Sequence, residues 1–327
     1  MHHFTKHSHT RLLALCVSAG LIMGSLSGCG DQGQGNGSTD TIVESASASS
    51  TGVTDITAFP MPEGSEESTI YVEPVDGISD DFYRGMDASA VLALENSGVK
   101  YYNFDGEEQD VFMTLAQAGV NYIRLRVWND PYDENGYGYG GGNNDVATAI
   151  ALGQRATQYG MKVCIDFHYS DFWADPKKQF VPKAWEGMNI EEKTDALYNY
   201  TLDSLTQILE AGVNVGMVQI GNEIRSGMLF PDGAVPNFEN LAELVNEGIR
   251  ATRELLPEAQ VMIHLDQGGR FDCLKLWFDA MFEAGMQPID AIGISYYPFW
   301  HGTYMDLKHT MSRLIQTYEL PVYIVET

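Results

Sequence analysis

Tyr122-Ile123-Arg124-Leu125-Arg126-Val127-Trp128 alternates without a break: Ile123, Leu125 and Val127 share one face of an extended strand, and Arg124 and Arg126 share the other. The run from Lys162 to Tyr169 repeats the design, with Val163, Ile165 and Phe167 on one face and Cys164, Asp166 and His168 on the other. Strands of an open, doubly wound sheet are covered by helices on both faces and favour apolar residues on both. Here one face is polar, and its polar residues gather toward the C-terminal end of each strand. That pattern predicts a (β/α)8 TIM barrel, with helices outside and a functional mouth at the strand C-termini.

Working outward, apolar runs that read as strands recur at Tyr83–Ser89, Tyr122–Trp128, Lys162–Tyr169, Met217–Glu223, Val261–Asp266, Asp290–Tyr297 and Val322–Thr327. Amphipathic helical patterns lie between them, such as 108–118 before Gly119 and 190–211 before Gly212, each glycine acting as a stop signal. The strands start roughly every 40 residues, a spacing suited to right-handed βα repeats in a parallel sheet. An eight-stranded barrel needs one more unit, so the expectation is an α/β barrel apparently truncated after strand seven.

The 327 residues hold 19 Lys+Arg against 45 Asp+Glu, a formal net charge of −26, with 44% hydrophobic and 11% aromatic residues. This excludes a disordered or fibrous chain and leaves no basic footprint for nucleic acid. A polyanion also repels acidic polymers, which favours a neutral substrate. Cys16, Cys29, Cys164 and Cys273 do not form a disulfide framework. At the N-terminus, Lys6 and Arg11 precede an apolar run, Leu12 to Met23, that is well short of the roughly 20 residues a membrane-spanning helix needs. Leu26-Ser27-Gly28-Cys29 resembles a bacterial lipobox. Residues 1–28 are therefore expected to be a lipoprotein signal peptide and Cys29 the lipidated first mature residue. Residues 29–77, rich in Gly, Ser, Thr and acids, read as a flexible tether, and 78–327 as the barrel. The implied location is exported, at the cell surface or facing the periplasm.

Two carboxylates close apolar runs where a barrel opens to solvent: Glu223 in Gln219-Ile220-Gly221-Asn222-Glu223, and Glu326 in Tyr323-Ile324-Val325-Glu326. The fourth and seventh strands face each other across the mouth. Carboxylates about 5–5.5 Å apart perform retaining glycoside hydrolysis, one as acid/base and one as nucleophile. The acid needs a raised pKa, which partial burial beside a second carboxylate supplies. A single Glu at a strand end can equally be a solvated terminus; two, with Asn222 preceding the first, are harder to read that way. Asn222 is placed to bond a sugar hydroxyl. Arg126 is expected to point into the mouth and hold Glu326 ionised, with Arg124 one layer deeper in a structural ion pair. Asp87 ends the first strand and either binds a sugar hydroxyl or caps the next helix. His168 has no second His at ligand spacing, so zinc is rejected and no metal is assigned. Trp173, Trp185, Tyr297, Phe299 and Trp300 follow strand ends and together read as an aromatic rim for sugar rings. By parity Tyr297 faces inward and Tyr296 outward. The G-x-G-x-x-G match from Gly136 to Gly141 does not directly follow a strand and is set aside as a loop.

Four stretches together carry a resemblance. They are Tyr122 to Pro131, His168-Tyr169-Ser170-Asp171-Phe172-Trp173-Ala174-Asp175-Pro176, Gln219 to Glu223, and Ser295-Tyr296-Tyr297-Pro298-Phe299-Trp300-His301-Gly302. In this order they resemble the arabinogalactan endo-β-1,4-galactanases of glycoside hydrolase family 53, over about residues 82–327. The resemblance implies a (β/α)8 barrel that hydrolyses β-1,4-galactan or arabinogalactan, neutral side chains of pectin, with retention of configuration and no cofactor for the chemistry. It implies Glu223 as acid/base, Glu326 as nucleophile, Arg126 as the strand-two arginine of the wider clan and Asn222 as the Asn before the acid. His168, Trp173, Tyr297 and Trp300 fall in motifs around its cleft. Some members hold a structural calcium in the loop after strand seven, which this sequence does not allow to be judged. An open barrel would leave Glu326 on a frayed strand, so the 327-residue chain is expected to be inactive. The rival readings are a clan-related mannanase, xylanase or glucanase, and a surface lipoprotein that binds glycan without cutting it. The expected partners are a neutral polysaccharide and, through the lipid, a membrane; the expected state is a monomer.

Overall fold

The computed structural model describes residues 75–327. The signal peptide, Cys29 and almost all of the tether lie outside the described residues. In chain order the elements are β1 (Gly85–Asp87), α1 (Val91–Asn96), α2 (Val111–Gln117), β2 (Tyr122–Val127), α3 (Val146–Gln158), β3 (Lys162–Phe167), α4 (Ile190–Glu210), β4 (Val215–Ile220), β5 (Gly227–Met228), β6 (Gly233–Ala234), α5 (Phe238–Leu255), β7 (Gln260–Leu265), α6 (Phe271–Glu283), β8 (Ala291–Ser295), α7 (Pro298–His301), α8 (Tyr304–Tyr318) and β9 (Val322–Glu326). Seven strands pair in parallel in the order β1-β2-β3-β4-β7-β8-β9, while β5 and β6 form a separate small hairpin. The helices begin where local chemistry dictates. Asn189 and Glu192 form a reciprocal capping box at α4, and Thr303 and Asp306 do so at α8.

The alternation in the sequence becomes two separate interiors. Ile123, Leu125, Val127, Val163, Ile165 and Phe167 are all fully buried against the helical layer. On the opposite face, Tyr122, Cys164, Met217, Met262 and Ala291 fill the barrel near the strand N-termini. Above that apolar plug the inward positions turn polar, with Arg124, Asp166, Gln219, His264 and Ser295 all buried.

The sheet curls until its ends nearly meet. The ring of Tyr83, just before β1, lies 4.9 Å from that of Tyr323 on β9, and both hydroxyls donate to Oε1 of Gln260. The two edge strands are not paired with one another. A cavity of about 560 Å³ lies between them, lined largely by apolar side chains such as Met86, Tyr122, Met217 and Ile324. Among the described residues the architecture is thus an α/β barrel of seven parallel strands, with β1 and β9 brought close but unpaired.

Candidate active site

Glu223 is carried not by β4 itself but by the turn that follows it. The strand ends at Ile220, and Gly221 adopts φ +78°, where a Cβ would stand 2.6 Å from Cγ2 of Ile224. Glu223 is itself left-handed at φ +49°, a conformation rarely held by a residue with a side chain and often found at functional sites. A short helical turn, Ile224–Ser226, follows. Glu326, the last residue of β9, is in register with Ser295 of β8. One carboxylate oxygen of each Glu and a ring nitrogen of His264 all lie within 4.8 Å of one another.

The two carboxylates stand in different surroundings. Glu326 accepts from Nη2 of Arg124 at 3.1 Å and from the Tyr297 hydroxyl at 3.3 Å. Burial, and then the charge of Glu326, push the Tyr297 phenol up to about 12, so it remains a donor. β9 pairs along β8 from Val322 to Glu326 while its other edge is unpaired among the described residues, and the carboxylate is held from two sides. Glu223 has no cation of its own within hydrogen-bond reach. Its Oε1 lies 2.6 Å from Oγ of Ser295. Burial, then the nearby charge of Glu326, raise its pKa to about 7.

The arginine that holds Glu326 is Arg124, which corrects the assignment of that role to Arg126. Arg124 also donates to Oδ2 of Asp87 (3.1 Å), Oε1 of Gln219 (3.1 Å) and Oδ1 of Asn222 (2.9 Å), and pairs with Asp166 at 2.8 Å. Its side chain is long enough to climb one layer, so the residue deeper in the barrel reaches the plane of the strand-end carboxylates. Arg126, one layer higher, instead lays its guanidinium over the Trp173 ring, 3.9 Å from the centroid, with Asp87 4.0 Å away. Its buried Nε has no hydrogen-bond partner.

The other expected residues divide. Asp87 is tied to Arg124, and its Oδ1 accepts from the Ser89 amide, so it does not cap α1, whose N-cap is Ala90. Asn222 is buried, with Oδ1 accepting from Arg124 and Nδ2 donating to the Ala174 carbonyl. His168 is buried and satisfied: Nδ1 accepts from the Ala174 amide, which leaves Nε2 to donate to Asp166 at 3.0 Å. Trp173 and Tyr297 border the mouth. Phe299 and Trp300 stand out on α7, at 96% and 79% exposure. Trp185 does not belong to the rim; it is buried edge-on to Tyr200, beneath the aromatic face that covers β3. Tyr296 packs outward and is buried, as its parity predicts. The Gly136–Gly141 stretch is a turn closed by a bridge between Tyr132 and Gly138. Gly141, at φ +66°, packs so tightly that a Cβ would sit 3.0 Å from the Trp173 indole nitrogen.

Four residues of the site escape the sequence reading: Asp166, Gln219, His264 and Ser295. All are polar residues at inward positions of otherwise apolar strands, and that signal was available. His264 in particular follows Met262 on the inward face of β7. Both of its ring nitrogens are engaged, one with Ser295 and one with Asn222, so it is not free to ligate a metal with the two Glu.

Comparison with known proteins bears on this geometry. Residues 83–327 match the family model described as glycosyl hydrolase family 53. An endo-β-1,4-galactanase of Bacillus subtilis is 47% identical over 261 residues, spanning 79% of this chain and 59% of the relative. An arabinogalactan endo-β-1,4-galactanase of Humicola insolens is 37% identical over 253 residues, 75% of this chain and 73% of the relative. The solved catalytic domain of the Ignisphaera aggregans family member superposes with a TM-score of 0.75 at 42% identity, covering 77% of this chain and 70% of that one. A fungal β-1,4-galactanase structure gives 0.69 at 36% identity, covering 75% and 73%. The chain thus spans less than two thirds of the Bacillus relative's length.

Proposed function

The chain belongs to glycosyl hydrolase family 53, and from that premise we propose that it is a retaining endo-β-1,4-galactanase acting on the galactan side chains of pectin. The observation that carries the proposal is the pair of unlike carboxylates within 4.8 Å, one raised to about 7 and the other held by Arg124 and Tyr297. In the first step a Glu326 oxygen attacks the anomeric carbon and a covalent galactosyl ester forms. The glycosidic C–O bond breaks as Glu223 gives its proton to the departing sugar oxygen. In the second step Glu223, now ionised, takes a proton from water, whose oxygen displaces Glu326 from the anomeric carbon. Glu223 is thereby reprotonated and configuration is retained. The two carboxylates and water carry the whole sequence.

The step needs a protonated Glu223, and its surroundings favour that form. Burial disfavours a negative charge on Glu223, as does the charge of Glu326, with Asp266 and Asp175 adding to it. The rate on galactan should therefore fall as pH rises through about 7. Arg126 stacked on Trp173, together with Tyr297 and the exposed Trp300, offers apolar faces on which sugar rings can rest. A neutral polymer suits a chain of net charge −26. We further propose that the protein is exported and anchored by lipid at Cys29, releasing oligosaccharides near the cell for uptake.

Reducing-end release from galactan, arabinogalactan, mannan, xylan and β-glucan, by the wild type and by Glu223→Gln, tests the proposal. Release from the galactans alone, lost by several orders of magnitude in the variant, is the expected result. Release from another polymer would keep the chemistry and overturn the substrate. Galactan bound but not cut by the wild type would favour a binding lipoprotein.

A further inference from the structure

The hydrogen bonds behind Glu223 start from two groups that can each play only one role, and from there they can be followed in one direction. Arg124 can only donate, and its Nη2 lies 2.9 Å from Oδ1 of Asn222. The Asn222 amide nitrogen faces the Ala174 carbonyl, which can only accept. Oδ1 of Asn222 is therefore fixed as an acceptor. Nδ1 of His264 lies 2.8 Å from that oxygen and 3.2 Å from Nε2 of Gln219, whose two hydrogens go to Asp166 and the Gly221 carbonyl, so Nδ1 carries the hydrogen of the neutral imidazole. Full burial, with the Arg124 charge nearby, pushes the imidazole's pKa well below its usual value and keeps it neutral. Nε2 of His264 is then a bare lone pair, 2.8 Å from Oγ of Ser295. The only hydrogen available to that lone pair is that of the Ser295 hydroxyl. Toward an ionised Glu223 the Ser295 hydroxyl, 2.6 Å away, would donate; with its hydrogen given to His264 it has only lone pairs to offer, and these suit the protonated acid.

We propose that Ser295 and His264 form a one-way relay, set by Asn222 and Arg124, that presents an acceptor to Glu223 and so holds it as the protonated acid. Ser295 and His264 are positioning residues here, and the inference rests on the assignment of Glu223 as acid/base. When Glu223 gives up its proton, its carboxylate faces a lone pair of Ser295. The serine hydrogen can turn toward it only by leaving Nε2 of buried His264 without a partner, which is costly. The relay thus opposes ionisation of Glu223 and favours its reprotonation in the second half of the reaction. The other groups whose charge reaches Glu223 are Glu326, Asp266, Asp175, Arg225 and Tyr297. None belongs to the relay, so all remain in place when it is altered.

The sign of one shift decides the matter. A serine that donated to an ionised Glu223 would, on removal, raise the carboxyl's pKa; a serine that accepts from the neutral acid would, on removal, lower it. The direct measurement is carbon-13 NMR titration of the full chain labelled at glutamate carboxyls, with the Glu223 resonance identified by its loss in Glu223→Gln. In Ser295→Ala the titration should move down by about one pH unit. In His264→Phe it should move further down, because Ser295 is then free to donate to the carboxylate. The alkaline limb of the pH profile on galactan should move in the same order. An unchanged or raised value in Ser295→Ala overturns the relay, and that variant decides alone if His264→Phe does not fold. Full activity of Glu223→Gln would instead overturn the acid/base assignment, while the NMR order would still report on the relay.

Discussion

Arg124 spends its N–H donors on Asp87, Gln219, Asn222 and Glu326 and pairs with Asp166, whereas Arg126, two positions on, rests on the Trp173 ring. The alternation of the strand places both guanidinium groups inside the barrel. It does not say which one reaches Glu326, because that depends on side-chain length and on the register between β2 and β9, strands 195 residues apart at their closest ends. The same limit hid His264 and Ser295: each reads as an inward polar residue, but their mutual hydrogen bond joins β7 to β8 and leaves no mark in either run. The two arginines should respond differently to the same change. Arg124→Lys loses the planar fork that serves several acceptors at once and leaves buried Asp166 poorly paired. It should lower kcat on galactan about 100-fold or more and cost about 3–5 kcal/mol of stability. Arg126→Lys should mainly raise KM, by a few fold, with little change in Tm. Steady-state kinetics and thermal melts of both variants check this; equal effects from the two would contradict it.

Among the elements, all seven barrel strands were legible from period-two runs, but their ends were not. The run from Met217 to Glu223 reads as a strand to its last residue. The chain leaves the sheet at Ile220, because Gly221 and Glu223 both adopt positive φ. A strand pattern records which residues are apolar, and the turn that lifts a carboxylate over the mouth is recorded only by one glycine. The end of β3 behaves alike, at Phe167, with Tyr169 at φ +49°. The first strand shrinks from Tyr83–Ser89 to Gly85–Asp87, the three residues that find partners on β2. Gly221→Ala is the test at this level. Its Cβ would need a left-handed backbone and would collide with Ile224. The expected outcome is a loss of about 1–3 kcal/mol in thermal or urea unfolding, with a fall in kcat that exceeds any rise in KM, because Glu223 is re-aimed. Unaltered kinetics in a folded variant would show that the turn does not position the acid.

Across the whole molecule, parity was enough to choose a barrel over an open sheet. It could not show how far the sheet curls. That is decided by contacts between the two edges of the sheet, where Tyr83 and Tyr323 meet over Gln260 and Arg124 reaches Glu326. The apolar gap between β1 and β9 is likewise a property of the assembled sheet and of no single segment. The N-terminal stretch works in the opposite sense. Its reading comes from composition and order alone: basic residues, a short apolar run, Leu26-Ser27-Gly28-Cys29, and then an acidic tract poor in large apolar residues. No helix among the described residues is long and apolar enough to cross a membrane. Cys29→Ser should move the protein from the membrane fraction to the soluble fraction of expressing bacteria without altering its rate on galactan. Persistence in the membrane fraction would contradict a lipid anchor at that residue.

The central claim is that Glu326 bonds to the sugar while Glu223 handles the proton. Incubation with a 2-deoxy-2-fluoro-galactoside carrying a good leaving group slows the second step more than the first and lets the ester accumulate. Mass mapping of the labelled peptide is then the most direct measurement. One label is expected, on Glu326, and none in Glu326→Gln. A label on another residue, or an inverted anomer released from galactan with no label at all, would contradict it.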